Sequence, residues 1–256
     1  MLNIEARRQL KALLPVGMLA TKPWLEAQGF NLHFLDNAVR SSTLTPLTPG
    51  VYLREGIVSW QGVVASLQRM TDTPVHVGAL SALELEGVAH YLAGSTSPRI
   101  TLCSAKALPR WLNRIAVSAE FEWQGTRRLW AENVMSDTYF IREHSWQVSL
   151  PALYYSCPEK AILELLLQVP DAISFEHVDQ LMQGMHNLSP RKLDKLLRGC
   201  INVKVKRLFF WLAHRHQHAW LKHLSSENYA LGTGKRMIAK GGRYESTWQI
   251  TVPKEM

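Results

Sequence analysis

Between Leu19 and Gly56 the apolar and polar positions of this chain change period twice, and the sequence predicts two short helices and a small ribbon there. Thr21 fits an N-cap, because its hydroxyl can accept an orphan amide while Pro23 sits in the first turn, where no donor is needed. Gly29 fits the left-handed position that ends a helix, and Asn31 caps the next one two residues later. On that second helix Leu35, Ala38 and Val39 share one face, whereas His33, Asn37 and Arg40 line the other at i, i+4 and i+7. The runs Leu44 to Leu47 and Val51 to Arg54 flank Thr48-Pro49-Gly50, a turn-rich tip. A tight helix pair followed by such a ribbon predicts a winged helix-turn-helix.

Upstream, residues 4–14 predict an amphipathic helix that packs Ile4, Leu10, Leu13 and Leu14 behind this unit, so three helices and a wing suffice for a small domain. Ser59 caps a further helix with Trp60 in its first turn and Val63, Val64, Leu67 and Met70 as its apolar stripe, ended by Asp72-Thr73-Pro74. A second helical run is expected from Leu80 to Tyr91, and Gly94, Ser95, Ser97 and Pro98 mark the best boundary in the chain. The expected domains are therefore residues 1–94, a winged-helix domain with a helical connector, and 95–256.

From Ile100 the pattern turns to strands. Ile100 to Cys103, Ala119 to Trp123, Leu129 to Val134, Thr138 to Ile141 and Trp146 to Leu150 read as strands, and Leu108 to Ile115 as a helix opened by Pro109. The mixture predicts an α+β middle built on a mostly antiparallel sheet. Ser156-Cys-Pro-Glu159 reads as a capping box opening a helix through Leu167, which explains Glu159 without chemistry. Beyond it, Ser174 opens a helix closed by Gly184, and Ser189-Pro190 opens another. There Leu193, Leu196 and Leu197 point inward and Arg191, Lys195 and Arg198 outward. Val203 to His218 is a third helix, flanked by Lys204, Lys206 and Arg207. Gly241-Gly242 suits the tip of a two-residue hairpin that carries Lys235, Arg236, Lys240 and Arg243.

Charge sharpens this picture. The formal net charge is +8, but residues 188–256 hold fourteen Lys and Arg against four acids, or +10, while 1–56 are +2 and 57–187 are −4. Such asymmetry points to a polyanion, most simply nucleic acid. Cys103, Cys157 and Cys200 are widely spaced and form no C-x-x-C pair, which favours buried thiols in a reducing cytoplasm. No apolar run approaches the length of a membrane span, since Glu164 and Gln168 interrupt the longest candidate. Glu5, Arg7, Arg8 and Lys11 break up any signal-peptide core.

Motifs for catalysis are weak. Gly232-Thr-Gly234-Lys235-Arg236 is not a phosphate loop, because Tyr229 and Arg236 stand where a glycine and a Ser or Thr are required. His214, His216, His218 and His223 cluster beside Arg215 and Lys222, yet no glutamate lies between them in a zinc-binding pattern, so a solvated basic face is expected. A two-metal nuclease needs converging carboxylates; no acidic residue is followed at i+2 by lysine, and Glu120 and Glu122 read as solvent-facing. Trp211 and Trp220 fall at helical spacing among apolar residues and read as core. No cofactor and no metal are expected.

The blocks WLEAQGF, SSTLTPLTPGVYLREG, VHVGALSALELEGVAHYL, LSPRKLDKLL, VKVKRLFFWLAHRHQHAW and GKRMIAKGGRYESTWQITVP occur in order over nearly the whole length. In them the chain resembles AbiEi, the antitoxin family of type IV abortive-infection toxin–antitoxin systems, in its subgroup with an N-terminal transcriptional-regulator domain. The resemblance implies a winged-helix domain that represses its own operon from operator DNA. It also implies a C-terminal domain that counters a nucleotidyltransferase toxin without forming a stable complex with it. It supplies no catalytic motif and no individual base-reading residues.

The candidate DNA contacts are geometric: Thr21, Lys22, Asn31, His33, Asn37, Arg40, Ser41, Thr48 and Arg54 around the helix pair and wing. Arg191, Lys195, Arg198, Lys235, Arg236 and Lys240 would brace the flanking duplex, with RNA as a second explanation for the same charges. The expected partner is an operator with inverted repeats, bound by a cytoplasmic protein that is monomeric in solution, with cooperative binding on DNA open. The competing classes are a metal-dependent nucleic-acid-processing enzyme and a protein-interaction scaffold.

Overall fold

The computed structural model describes residues 4–88 and 97–256. The first helix, α1 (Ile4–Leu13), buries Leu10. Leu14 follows it into the core, whereas Ile4 is exposed and packs behind nothing. Its last carbonyls are taken by arginines from later elements: Arg54 Nη1 donates to Lys11 O and Leu14 O at 3.0 and 2.8 Å, and Arg69 Nη2 to Leu13 O at 3.0 Å. The strand β1 (Leu19–Thr21) leads into α2 (Lys22–Ala27), capped by Thr21 as expected. Gly29 turns the chain at a φ of +93°, and α3 (Leu32–Arg40) begins where Asn31 Oδ1 accepts Phe34 N–H at 2.9 Å. Phe34, Leu35 and Ala38 form the buried stripe of α3, while Val39 is only half-buried.

The wing is β2 (Thr45–Thr48) and β3 (Val51–Leu53), joined through Gly50 at a φ of +75°. It has a third strand, because β1 pairs antiparallel with β3 in the order β1-β3-β2. Three residues between two helices are too few to show a strand period. Next, α4 (Trp60–Met70) is capped by Ser59 and supplies the floor of the ribbon: buried Ser66 Oγ accepts Leu19 N–H at 2.8 Å. The winged unit thus rests on a fourth helix, not on three alone.

After β4 (Val75–Val77), α5 (Ala79–Leu85) ends well before Tyr91, since Gly87 takes a φ of +74° and closes it. The rest of that run and the boundary at Gly94-Ser95 lie outside the described residues. The expected strands appear as β5 (Arg99–Ser104) and β6 (Glu120–Gly125), where Arg99 Nε lies 3.8 and 3.2 Å from Glu120 and Glu122. The helix expected from Leu108 shrinks to one 3-10 turn at Leu112–Arg114. Leu112 and Ile115 are its buried apolar residues, and a single turn places both.

Three expected strands are also revised. Residues 129–134 give way to α6 (Glu132–Met135), Thr138–Phe140 form a 3-10 turn before β7 (Ile141–His144), and 146–150 form no strand. Conversely β8 (Leu153–Ser156) was not expected, and its last residue is the serine of the supposed capping box. Ser156 belongs to that strand and donates through Oγ to buried Glu164 Oε2 at 2.8 Å, so Cys157 is left as the N-cap of α7 (Pro158–Leu167). Glu159 instead accepts the Ser189 N–H at 2.7 Å. The sheet order is β6-β5-β4-β8-β7, and β4 pairs with β8 in parallel, which the antiparallel expectation did not include.

The remaining helices follow their caps closely: α8 (Phe175–Gly184) after Ser174, α9 (Pro190–Gly199) after Ser189 and α10 (Val203–His216) after Asn202. The C-terminal strands β9 (Arg243–Glu245) and β10 (Ile250–Val252) pair antiparallel across residues 246–249, not across Gly241-Gly242. A Cβ on Gly242 would lie 2.0 Å from Val252 O, so this glycine serves a close backbone approach and not a hairpin tip.

The architecture is α+β, with two compact units. One comprises Met1–His76, Gly94–Trp123 and Glu143–Tyr154; the other comprises Val77–Ala93, Gln124–Arg142 and Tyr155–Met256. Fully buried Leu35, Leu25 and Val63 centre the first, and Phe209, Phe210 and Ile162 the second.

Candidate nucleic-acid interface

In the first unit α3 and the wing face each other across an open groove of about 730 Å³, lined by Asp36, Val39, Arg40, Pro46, Leu47, Thr48, Pro49, Gly50 and Tyr52. Leu35 and Ala38 anchor one side of α3, and the β2–β3 ribbon lies across the groove from Asp36, Val39 and Arg40. Lys22 N–H donates to Gly50 O at 2.8 Å and so fixes the turn of the wing to the start of α2. Of the candidate contacts, Arg40 and Thr48 are brought together in this groove. His33 and Asn37 meet each other on the neighbouring strip of α3, with Nε2 and Nδ2 3.0 Å apart.

Others are engaged by the fold itself. Thr21 and Asn31 cap helices, Lys22 lies 3.9 Å from Glu26, and Ser41 Oγ donates to Ala38 O at 3.2 Å. Arg54 turns inward onto the end of α1. Tyr52 and Val39 were missed as groove residues. Tyr52 had a signal, since it stands between Val51 and Leu53, both buried, and must point to the opposite face.

The basic second unit divides its charges unevenly. Arg191, Lys195 and Arg198 are exposed along α9, as are Lys235, Arg236 and Lys240. Arg198 Nε is held by both Asp194 oxygens, and this hydrogen bond keeps the Asp194 carboxyl below its ordinary range. Lys235 Nζ lies 4.8 Å from the Tyr244 ring centroid. By contrast, three cations counted toward the positive excess are internal. Lys204 Nζ donates to Leu167 O and Val169 O, and Lys206 and Arg207 are buried. The Arg207 guanidinium collects the carbonyls of Leu231, Gly232, Gly234 and Gln249, which organises the C-terminal segment. Burial pushes the Lys204 and Lys206 ammonium groups below their usual values.

Two of the four clustered histidines are structural, while His214 and His223 are exposed as expected. His216 Nε2 sits 2.8 Å from Asp179 Oδ1, and buried His218 sits 2.7 Å from the Met182 carbonyl. A fully solvated basic face is therefore not what the fold makes of these residues. Trp211 and Trp220 lie in the core, Trp220 stacked on Phe209 at 5.8 Å. No helix among the described residues is long and apolar enough to cross a membrane.

Comparison with known families places both halves. Residues 5–94 match the model of the N-terminal domain of the AbiEi antitoxin transcriptional regulators, and residues 97–253 match the AbiEi antitoxin transcriptional regulator of type IV toxin–antitoxin systems. The chain belongs to the AbiEi family. The α2–α3 pair and its ribbon are thus the winged helix-turn-helix of an AbiEi regulator. No protein of curated function matches the chain. Among solved structures, the crystal structure of the RV2827C protein from Mycobacterium tuberculosis is similar at a TM-score of 0.56 and 18% identity. That match covers 96% of this chain and 89% of the other, and it speaks for the fold alone. An AbiEi regulator acts on DNA within a toxin–antitoxin context.

Proposed function

We propose that this AbiEi protein represses its own operon by reading an operator in the major groove with α3, and that its C-terminal part counters a nucleotidyltransferase toxin without a stable complex. The observation that carries the DNA reading is the α3–wing groove, where Arg40 stands exposed beside Thr48 at the end of a helix whose other face is buried. A helix with one anchored face and one free polar face is the form that enters a major groove. The hydrogen bond between His33 and Asn37 holds the amide in place, leaving Oδ1 and a second N–H for an adenine edge. Arg40 is the candidate for guanine, and the wing tip at Thr48 for the adjoining backbone. Lys235, Arg236 and Lys240, with Arg191, Lys195 and Arg198, supply further phosphate contacts in this reading.

Footprinting on the DNA upstream of its own operon tests the proposal: a paired, inverted-repeat footprint is the expected result, and uniform protection would remove sequence-specific repression. An RNA- or DNA-processing activity is tested by incubating labelled nucleic acid with the protein and Mg²⁺ or Mn²⁺. The repressor reading expects retardation without cleavage.

A further inference from the structure

Tyr139 is an exposed aromatic held among cations on the second unit, and duplex recognition by α3 makes no use of it. The residue is 46% exposed, and the ammonium groups of Lys192 and Lys195 lie over its ring, 5.1 and 4.8 Å from the centroid. Both lysines come from neighbouring turns of α9, so they approach from the helix side. Buried Phe140 meets the ring edge-on at 5.3 Å, and Asp137 Oδ1 accepts the Tyr139 N–H at 2.9 Å. The ring is thus fixed in place although it is open to solvent.

Beside it lies a cavity of about 450 Å³ whose wall includes Asn133, Asp137, Lys195 and Arg198. Lys195 links the two features. Arg198 meets Asp194 through Nε, which leaves its terminal amino groups outside that pairing. The cavity has stiff sides. Ala131 N–H donates to Gly199 O and Ile201 N–H to Leu129 O, both at 2.9 Å, and a Cβ on Gly199 would come within 2.2 Å of Val134 Cγ2.

We propose that this surface binds an unpaired nucleic-acid strand, with one base stacked on Tyr139, its neighbour in the cavity, and phosphates on Lys192, Lys195 and Arg198. A base inside a duplex is already stacked and offers no free face to a lone ring, whereas an unpaired base does. A concave pocket next to the ring likewise suits a single nucleotide better than a paired backbone. Asn133 brings both a donor and an acceptor for a base edge. The Asp137 carboxylate repels phosphate and accepts from an amino or hydroxyl group, so base or sugar enters there and the phosphates stay on the α9 side. The surface lies in a different unit from α3, and the proposal does not rest on operator reading, although it takes Lys195 and Arg198 from the flanking-duplex contacts proposed above.

The test measures binding of the full chain to labelled oligouridine, oligothymidine and a random duplex, each about ten residues long, a typical site length for strand-binding proteins. Both single strands are expected to bind, and the duplex serves as the reference that loss of the Tyr139 ring leaves unchanged. Tyr139→Ala should weaken single-strand binding by about 5- to 150-fold, the range for losing one base stack, while Tyr139→Phe keeps the ring and the affinity. Lys195→Gln should flatten the salt dependence. Tighter binding of either sugar type supports the proposal and names the strand. Failure of either single strand to bind would overturn it, as would a Tyr139→Ala protein that binds them like wild type. Operator affinity, measured alongside, scores the α3 reading separately.

Discussion

A side chain that caps its own helix is written within three residues of sequence, and those roles were legible here. Thr21, Asn31, Ser59, Ser174 and Ser189 all accept the amide they were expected to accept. Replacing Asn31 with alanine should cost about 1 kcal/mol in a denaturant melt, and no loss would mean that α3 starts without its cap. Long cations are different, because their partners lie tens of residues away. Arg54 was counted among the DNA contacts, yet it satisfies the end of α1. Arg54→Ala should lower stability by about 1–3 kcal/mol, the cost of leaving such acceptors without a charged donor. The salt slope of operator binding should stay as it is; a flatter slope would return Arg54 to the phosphate backbone.

At the scale of elements, amphipathic helices with clear caps were readable, as were the wing strands that flank a turn signal, but other short strands were not. The face of α9 was correct in every buried leucine. By contrast β1, β4 and β8 span three or four residues each, too short to display alternation, and β8 was concealed by a serine and glutamate at capping-box spacing. Gly242 misled in the same way, because a local signal for a turn is also the signal for close approach. Gly242 is needed against Val252 and Gly199 against Val134. Gly199→Ala should therefore destabilise the protein by about 1–3 kcal/mol through overpacking. A melt indistinguishable from wild type would show that α6 can move aside.

For the whole molecule, net charge placed the positive excess in the last quarter of the chain but overstated its surface, since Lys204 and Arg207 bond backbone carbonyls and Lys206 is buried. Glutamine at Lys235, Arg236 and Lys240 should reduce the salt slope by roughly one unit for each phosphate no longer neutralised. An unchanged slope would exclude that segment from the DNA.

The same histidines that seemed to decorate a surface should make stability depend on pH. Burial holds the His218 imidazole below its ordinary value, with the Met182 carbonyl only partly opposing. The folded state then resists the proton, so stability is full above the unfolded value near 6.5 and falls as pH drops toward the lower folded one. Burial alone would raise Asp179, but hydrogen bonds from Arg215 and His216 outweigh it and keep the carboxyl below its usual range. Its contribution is retained until more acidic pH and is lost there. His218→Gln should flatten the loss below pH 6.5, and a slope unchanged by that substitution would assign it to other groups.

The most direct test of the central claim compares wild type and Arg40→Ala on operator and random duplex at one salt concentration. The account predicts that the substitution weakens operator binding by about 1–3 kcal/mol and leaves random duplex nearly unaffected, because alanine cannot make the bidentate pairing with a base edge. Equal weakening on both DNAs would contradict base reading from α3 and leave Arg40 bound to the phosphate backbone.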